Sequence, residues 1–80
     1  MDTYHALIKR LDELCEARGI TRHALAITSG IHPSTVKGIF NGASQNPGIV
    51  TIKKLCDGLD ISITDFFNTE IFRELEQEIK

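Results

Sequence analysis

The chain has 80 residues, a formal net charge of −2, 41% hydrophobic and 25% charged residues. A chain of this length forms one domain, residues 1–80, and its apolar fraction argues against disorder. No apolar run approaches the roughly 20 residues of a membrane span. No signal-peptide pattern opens the chain, so we expect a cytoplasmic protein without a membrane partner.

The two cysteines, Cys15 and Cys56, fall at apolar helix positions. We expect buried free thiols, with a disulfide as the minority alternative because the cytosol is reducing. The chain has no CxxC pair, so the sequence gives no support for a metal site. It also lacks a carboxylate pair, a nucleophile–base set and a phosphate loop, so we expect neither an enzyme nor a cofactor.

The charges are unevenly distributed along the chain. Residues 17–56 contain no Asp or Glu and have a net charge of +5, whereas residues 1–16 carry −2 and residues 57–80 carry −5. The five cations of the middle window are Arg18, Arg22, Lys37, Lys53 and Lys54. Phosphate contacts are local, because salt screens charges over about 8 to 10 Å. The window therefore favours a nucleic-acid partner, although chance clustering of surface charge is the alternative.

Hydrophobic spacing predicts an all-α fold of five helices. The stripe of the first helix begins at Tyr4, Asp2 or Thr3 can cap it, and Gly19 ends it. The fourth helix begins near Ile49, and its apolar positions continue to Leu59.

Asp60 breaks this pattern as a left-handed residue, and Ser62-x-x-Asp65 resembles a capping box. A single extended last helix is predicted from about residue 63 to the end of the chain. Its apolar positions are Ile63, Phe66, Phe67, Ile71, Phe72, Leu75 and Ile79.

Two short helices are predicted within residues 21–41. Thr21 can cap the first, Gly30 ends it, Pro33 suits the first position of the second, and Asn41-Gly42 ends that one. Short helices are marginal alone, so each must pack against its neighbours. Two of them joined by a turn with Gly form the helix-turn-helix arrangement, in which the second helix presents its N-terminal residues to the DNA major groove. The residues expected to pack the unit are Leu25, Ala26, Gly30, Ile31, Val36 and Ile39.

The segment from Ile20 to Phe67 resembles the phage-repressor-like helix-turn-helix family, the Cro/repressor type also called XRE. The matching pieces are Leu25-Ala26, Gly30, Ser34-Thr35-Val36, Asn41-Gly42, Pro47, Thr51-Ile52, Leu55, Leu59, Ile61-Ser62 and Phe66-Phe67. The resemblance covers a core of about 5–67 and leaves 68–80 as a helical extension. It implies a compact five-helix, lambda-repressor-like domain. It also implies a bacterial or phage transcriptional regulator, usually a repressor, that binds double-stranded operator DNA as a homodimer, with no small-molecule ligand evident.

The resemblance also implies which residues contact DNA. Thr21 and Arg22 would lie beside the phosphate backbone at the start of the second helix. The third helix, at about 33–40, would enter the major groove, where Ser34 reads bases weakly and Lys37 can reach guanine or a phosphate. The implied DNA-contact set is Thr21, Arg22, His32, Pro33, Ser34, Thr35, Lys37, Gly38 and Asn41. Lys53 and Lys54 are equally consistent with electrostatic attraction to DNA and with a solvated face.

Four positions depart from the usual family pattern. Phe40 stands where an acidic residue commonly precedes Asn-Gly, Ala24 removes a capping box, and Ser29 takes a place that is often apolar. Gly38 inside the third helix costs about 1 kcal/mol relative to Ala.

The acidic tail, residues 68–80, leaves two alternatives open for its apolar side chains. Ile71, Phe72, Leu75 and Ile79 can form a dimer interface, or they can pack back over the first helix. A competing function is a protein-interaction module, such as an antitoxin whose acidic tail holds its partner.

Overall fold

The computed structural model describes residues 1–79 and has six helices and no β-strand in that range. They are α1 (Thr3–Arg18), α2 (Arg22–Ser29), α3 (Pro33–Asn41), α4 (Ile49–Gly58), α5 (Ile63–Phe67) and α6 (Glu70–Arg73). The predicted all-α class is confirmed. Within the described part of the chain, no helix has the length and apolar character needed to cross a membrane.

The helix ends follow the predicted caps. The carboxylate of Asp2 accepts a 2.8 Å bond from the backbone N–H of His5 at the start of α1. This bond and the His5 ring lower the pKa of Asp2. Asp60 takes the predicted left-handed conformation at φ 54°. Ser62 Oγ then accepts a 3.0 Å bond from the Asp65 N–H, as the predicted capping box requires.

The core lies between α1 and the helices that follow it. Its largest fully buried side chains are Phe66, Leu11, Leu25, Ile39, Leu55, Leu59, Val36 and Cys56. Both cysteines are buried free thiols, as predicted, and burial raises the pKa of each.

Three polar side chains of α1 connect it to other parts of the fold. The Tyr4 hydroxyl donates to the Ile39 carbonyl of α3, and Arg18 donates to the Leu59 carbonyl after α4. Arg10 Nε donates to the Phe66 carbonyl of α5 at 2.8 Å. These bonds satisfy carbonyl groups near helix ends that lack an intrahelical partner, so α1 also supplies hydrogen bonds to the helices that it packs against.

Helices α2 and α4 are in close contact at Ser29 and Gly58. A Cβ at Gly58 would lie 2.1 Å from Ser29 Oγ and 3.0 Å from Ser29 N, so only glycine fits there. The Ser29 hydroxyl is buried and has no hydrogen-bond partner within residues 1–79. Little space exists at this crossing, which explains why a small side chain occupies a place that is often apolar in the family.

The prediction of one extended last helix is wrong. The chain leaves the helical conformation at Asn68 (ψ 65°) and Thr69 (φ −139°), and residues 74–79 are not helical. A continuous helix would turn Phe72 away from Phe66 and Phe67. The break brings the three rings together, with centroid separations of 4.9 Å (66–67), 4.8 Å (67–72) and 6.0 Å (66–72). Lys80 lies outside the described residues.

The residues after α6 return to the beginning of α1. The Glu76 N–H donates to the Met1 carbonyl at 3.3 Å, and the Thr3 hydroxyl donates to Glu78 Oε2 at 3.0 Å. The tail is therefore attached to the first helix of its own chain.

Candidate nucleic-acid interface

The turn between α2 and α3 is closed by two backbone hydrogen bonds. Gly30 adopts φ 66°, its N–H donates to the Ile27 carbonyl at 3.2 Å, and the Ile31 N–H donates to the Ala26 carbonyl at 3.0 Å. This is the Schellman arrangement, which satisfies the last carbonyls of a helix and favours glycine at the left-handed position. The turn therefore fixes the angle at which α3 leaves α2.

The predicted packing residues lie beneath this turn. Leu25, Ala26, Val36 and Ile39 are buried, and Ile31 is half-buried against the core. With its Val36–Ile39 side buried, α3 exposes its opposite side to solvent. Four of the predicted contact residues are exposed there and two are half-buried: Ser34, Thr35, Lys37 and Asn41, then Pro33 and Gly38.

Two of the predicted contact residues also shape the ends of α3. His32 Nδ1 accepts a 3.1 Å bond from the Ser34 N–H and lies 2.7 Å from Ser34 Oγ, so the imidazole caps the helix. Asn41 Oδ1 accepts a 2.9 Å bond from the Ala43 N–H. The amide nitrogen of Asn41 is not part of that bond and can donate to a phosphate.

Arg22 is held from two sides at the start of α2. Its Nε and Nη2 donate to the Asp12 carboxylate of α1 at 3.0 to 3.2 Å, and its guanidinium lies over the Phe40 ring at 4.1 Å from the centroid. The side chain is half-exposed, and these bonds do not use Nη1. The predicted phosphate contact therefore starts from a guanidinium whose position is already fixed. Beside it, Thr21 Oγ1 caps α2 by accepting from the Ala24 N–H at 3.0 Å.

The middle window, residues 17–56, carries less uncompensated positive charge than the +5 counted from its sequence, because acidic residues from outside the window pair with two of its cations. Arg22 pairs with Asp12, and Lys53 pairs with Asp57 on the exposed face of α4. Lys37 and Lys54 form no salt bridge within the described residues. Lys37 is thus the uncompensated cation on the exposed side of α3.

An open groove of about 570 Å³ runs between the start of α2 and the exposed side of α3. It is lined by Arg22, His23, Pro33, Ser34, Val36, Lys37, Phe40 and Asn41. Five of these eight residues belong to the predicted DNA-contact set. The fold therefore brings Arg22 of α2 and the N-terminal residues of α3 to one surface.

The four residues of the candidate dimer interface do not share one environment. Phe72 packs against the core, whereas Ile71 and Leu75 are half-buried and Ile79 is 86% exposed. Ile27, Ile49 and Val50 are further apolar side chains that are more than 60% exposed.

Asp12 and Phe40 both hold Arg22 at the interface, and neither was predicted from the sequence to do so. The pairing of Asp12 with Arg22 crosses from one helix to another and leaves no local pattern in the sequence. Phe40 was noticeable in the sequence, because it stands where an acidic residue is common in the family. In the structure this ring lies against Arg22, and the carboxylate partner of Arg22 comes from α1 instead.

Comparison with solved structures supports the fold. The chain is 36% identical to the prophage Lp1 protein 11 over 94% of this chain and 100% of that one, with a TM-score of 0.80. It also resembles the wild-type restriction-modification controller protein C.Esp1396I, at 21% identity over 94% of this chain and 95% of that one, with a TM-score of 0.76. A tyrosine-to-phenylalanine variant of that protein gives 0.77 at 21% identity, with 92% and 94% of the two chains covered. No curated protein matches the chain.

A sequence-family comparison covers most of the chain. The family of the Cro/C1-type helix-turn-helix DNA-binding domain matches residues 10–70, a range that contains α2, α3 and α4 whole. Its members are DNA-binding proteins and not enzymes. The chain therefore belongs to the Cro/C1-type helix-turn-helix DNA-binding family.

Proposed function

We propose that the protein is a cytoplasmic, sequence-specific transcriptional regulator, acting as a repressor, that inserts α3 into the major groove of operator DNA. The observation that carries this proposal is the exposed side of α3. Val36 and Ile39 anchor the helix in the core, while Ser34 and Lys37 project from the other side. The major groove of B-DNA is wide enough to admit one such helix.

The charge arrangement supports the same orientation. Lys37 is uncompensated on α3, and Arg22 lies at the edge of the adjoining groove. All seven acidic residues of the range 57–79 are exposed and none of them lines this groove, and Glu76 and Glu78 lie near the start of α1. With α3 toward the duplex, the phosphates meet a groove whose charged lining residues are the cations Arg22 and Lys37, which favours binding.

The homodimer is part of the proposal. A regulator with one recognition helix per protomer reads two half-sites about 34 Å apart when it binds as a two-fold symmetric dimer. We therefore expect the operator to be an inverted repeat with one half-site per protomer.

Selection of bound sequences from a random DNA pool tests the proposal. We expect a two-fold symmetric consensus and a steep decrease of affinity with salt concentration. Lys37→Ala should weaken operator binding by roughly tenfold or more, without unfolding the protein, because the lysine makes no contact that holds the fold.

Arg73→Ala provides the matched control. It removes the same charge from α6, where the arginine contacts Glu70 and Asn68, and should leave operator affinity within about twofold. Equal affinity of the Lys37→Ala and parent proteins would show that α3 is not the recognition helix. A pool with no preferred sequence would favour the protein-interaction module instead.

A further inference from the structure

The exposed side of α3 offers few hydrogen-bonding groups for reading bases. Pro33 and Gly38 have no polar side-chain atom, and the Ser34 hydroxyl lies 2.7 Å from the capping nitrogen of His32. The side chains there that remain suited to a base edge are Lys37, whose partner is guanine, and Asn41, whose amide nitrogen is not used in its bond to Ala43. Hydrogen bonds from these residues therefore discriminate few base pairs.

The groove between α2 and α3 offers a different kind of contact. The residues that line it include Pro33, Val36 and Phe40, which supply apolar side chains, and the cations Arg22 and Lys37. Pro33 and Phe40 are only half-buried, so each keeps apolar surface open to a ligand. The groove is thus an apolar surface flanked by cations on the face proposed to meet DNA.

DNA matches this combination. The C5-methyl of thymine is the apolar group that base pairs present in the major groove, and the phosphates on either side of it are anionic. We infer that Pro33 and Phe40 read thymine, by packing its methyl group into the groove. This inference rests on the proposed function, since it requires α3 to lie in the major groove.

The position of Arg22 explains how a thymine of the operator is aligned with the groove. Asp12 and the Phe40 ring hold the guanidinium at the edge of the groove. A guanidinium in a fixed place orients the phosphate that it bonds, and phosphate contacts set the register of a protein on the duplex. Phe40 therefore has two roles, as the support of Arg22 and as part of the apolar lining that binds the methyl group.

Replacing thymidine by deoxyuridine tests the inference, because the change removes only the methyl group. In the preferred sequence obtained by selection, each thymidine is replaced in turn and the dissociation constant is measured. We expect a loss of about fourfold at one thymidine of each half-site and no loss at the others, as expected for burial of one methyl group.

Variants of the groove assign that loss to its residues. Pro33→Ala and Phe40→Leu should each bind the thymidine and deoxyuridine operators with more nearly equal affinity. Ile27→Ala removes an exposed apolar side chain of α2 that does not line the groove, so it should keep the full discrimination. Circular dichroism establishes that each variant is folded, and Pro33→Ala serves alone if Phe40→Leu is not.

The outcomes separate the inference from the proposed function. Reduced discrimination in either groove variant supports the inference. If no thymidine is sensitive, or if both folded variants discriminate as the parent does, the methyl is not read by this groove, although sequence-specific binding still stands. If no DNA sequence is preferred at all, the proposed function itself fails.

Discussion

The helix-turn-helix unit, residues 22–41, and the tail, residues 68–79, are built in opposite ways. In the unit, each helix has a side chain that caps its N-terminus and buried residues that anchor it. In the tail, α6 has neither a side-chain cap nor a buried residue. The tail is attached by Phe72 and by a few exposed hydrogen bonds to the first residues of α1.

This difference indicates that the helix-turn-helix unit is more rigid than the tail. A recognition helix that is already fixed loses little further freedom when it binds, so more of its contact energy appears as affinity. A segment with few buried contacts opens at low free energy. The face proposed to meet DNA is therefore the well-ordered one, and variants of the two regions should differ in predictable ways.

Removal of a leucine side chain should give the largest contrast. Leu25 is fully buried in α2, so Leu25→Ala should lower the free energy of unfolding by about 2 to 5 kcal/mol. Leu75→Ala makes the same change at a half-buried position of the tail and should cost less than about 1.5 kcal/mol. Urea unfolding followed by circular dichroism measures both. Equal losses would mean that the tail contributes to the core as much as the unit does.

The turn at Gly30 should give the next largest effect. Gly30→Ala has space for its Cβ, since nothing lies within 4 Å, but it must hold φ at 66°. That conformation costs an L-residue about 1 to 2 kcal/mol, which should appear as lower stability in thermal unfolding.

Gly30→Asn is the matched control, because asparagine tolerates the left-handed region better than alanine. It should therefore lose less stability than Gly30→Ala. If the two variants were equally destabilised, the loss would come from a steric conflict and not from φ.

Removal of a capping side chain should lower the free energy of unfolding by about 1 kcal/mol in the helix-turn-helix unit and should have no such cost in the tail. His32→Ala removes the nitrogen that accepts from the Ser34 N–H and should lower stability by about that amount. His32→Asn keeps an acceptor at the cap and should recover most of the loss. At α6, Thr69 makes no side-chain cap bond and its buried hydroxyl has no partner within residues 1–79, so Thr69→Val should be neutral or stabilising. Calorimetry of the three variants decides whether capping matters only in the unit.

Turn and capping residues made the unit predictable from sequence. Thr21, Gly30 and Pro33 each act within a few residues of their own position, and each takes the predicted conformation or bond. The break at 68–69 was not predictable in this way, because the apolar spacing continues through it and the three-ring cluster that favours it forms only in the folded chain.

Charge was the least predictable property of the interface. Residues 17–56 have a net charge of +5 in the sequence, but the fold brings Asp12, which lies outside this window, to Arg22. Such a pairing between helices is set by tertiary packing. The sequence therefore indicated a cationic stretch, residues 17–56, but it could not indicate which of its cations remain uncompensated.

Gly38→Ala should give the smallest change in stability, and of the opposite sign to Gly30→Ala. The nearest atom to an added Cβ is Ala43 Cβ at 4.0 Å, so alanine fits and should stabilise α3 by about 0.5 to 1 kcal/mol. If α3 lies in the major groove with its backbone close to the bases at Gly38, the same methyl group should weaken operator binding. A higher melting temperature with lower affinity is thus the expected pair of results. Unchanged affinity would show that glycine is merely tolerated there, and that α3 approaches DNA through its Ser34–Lys37 side.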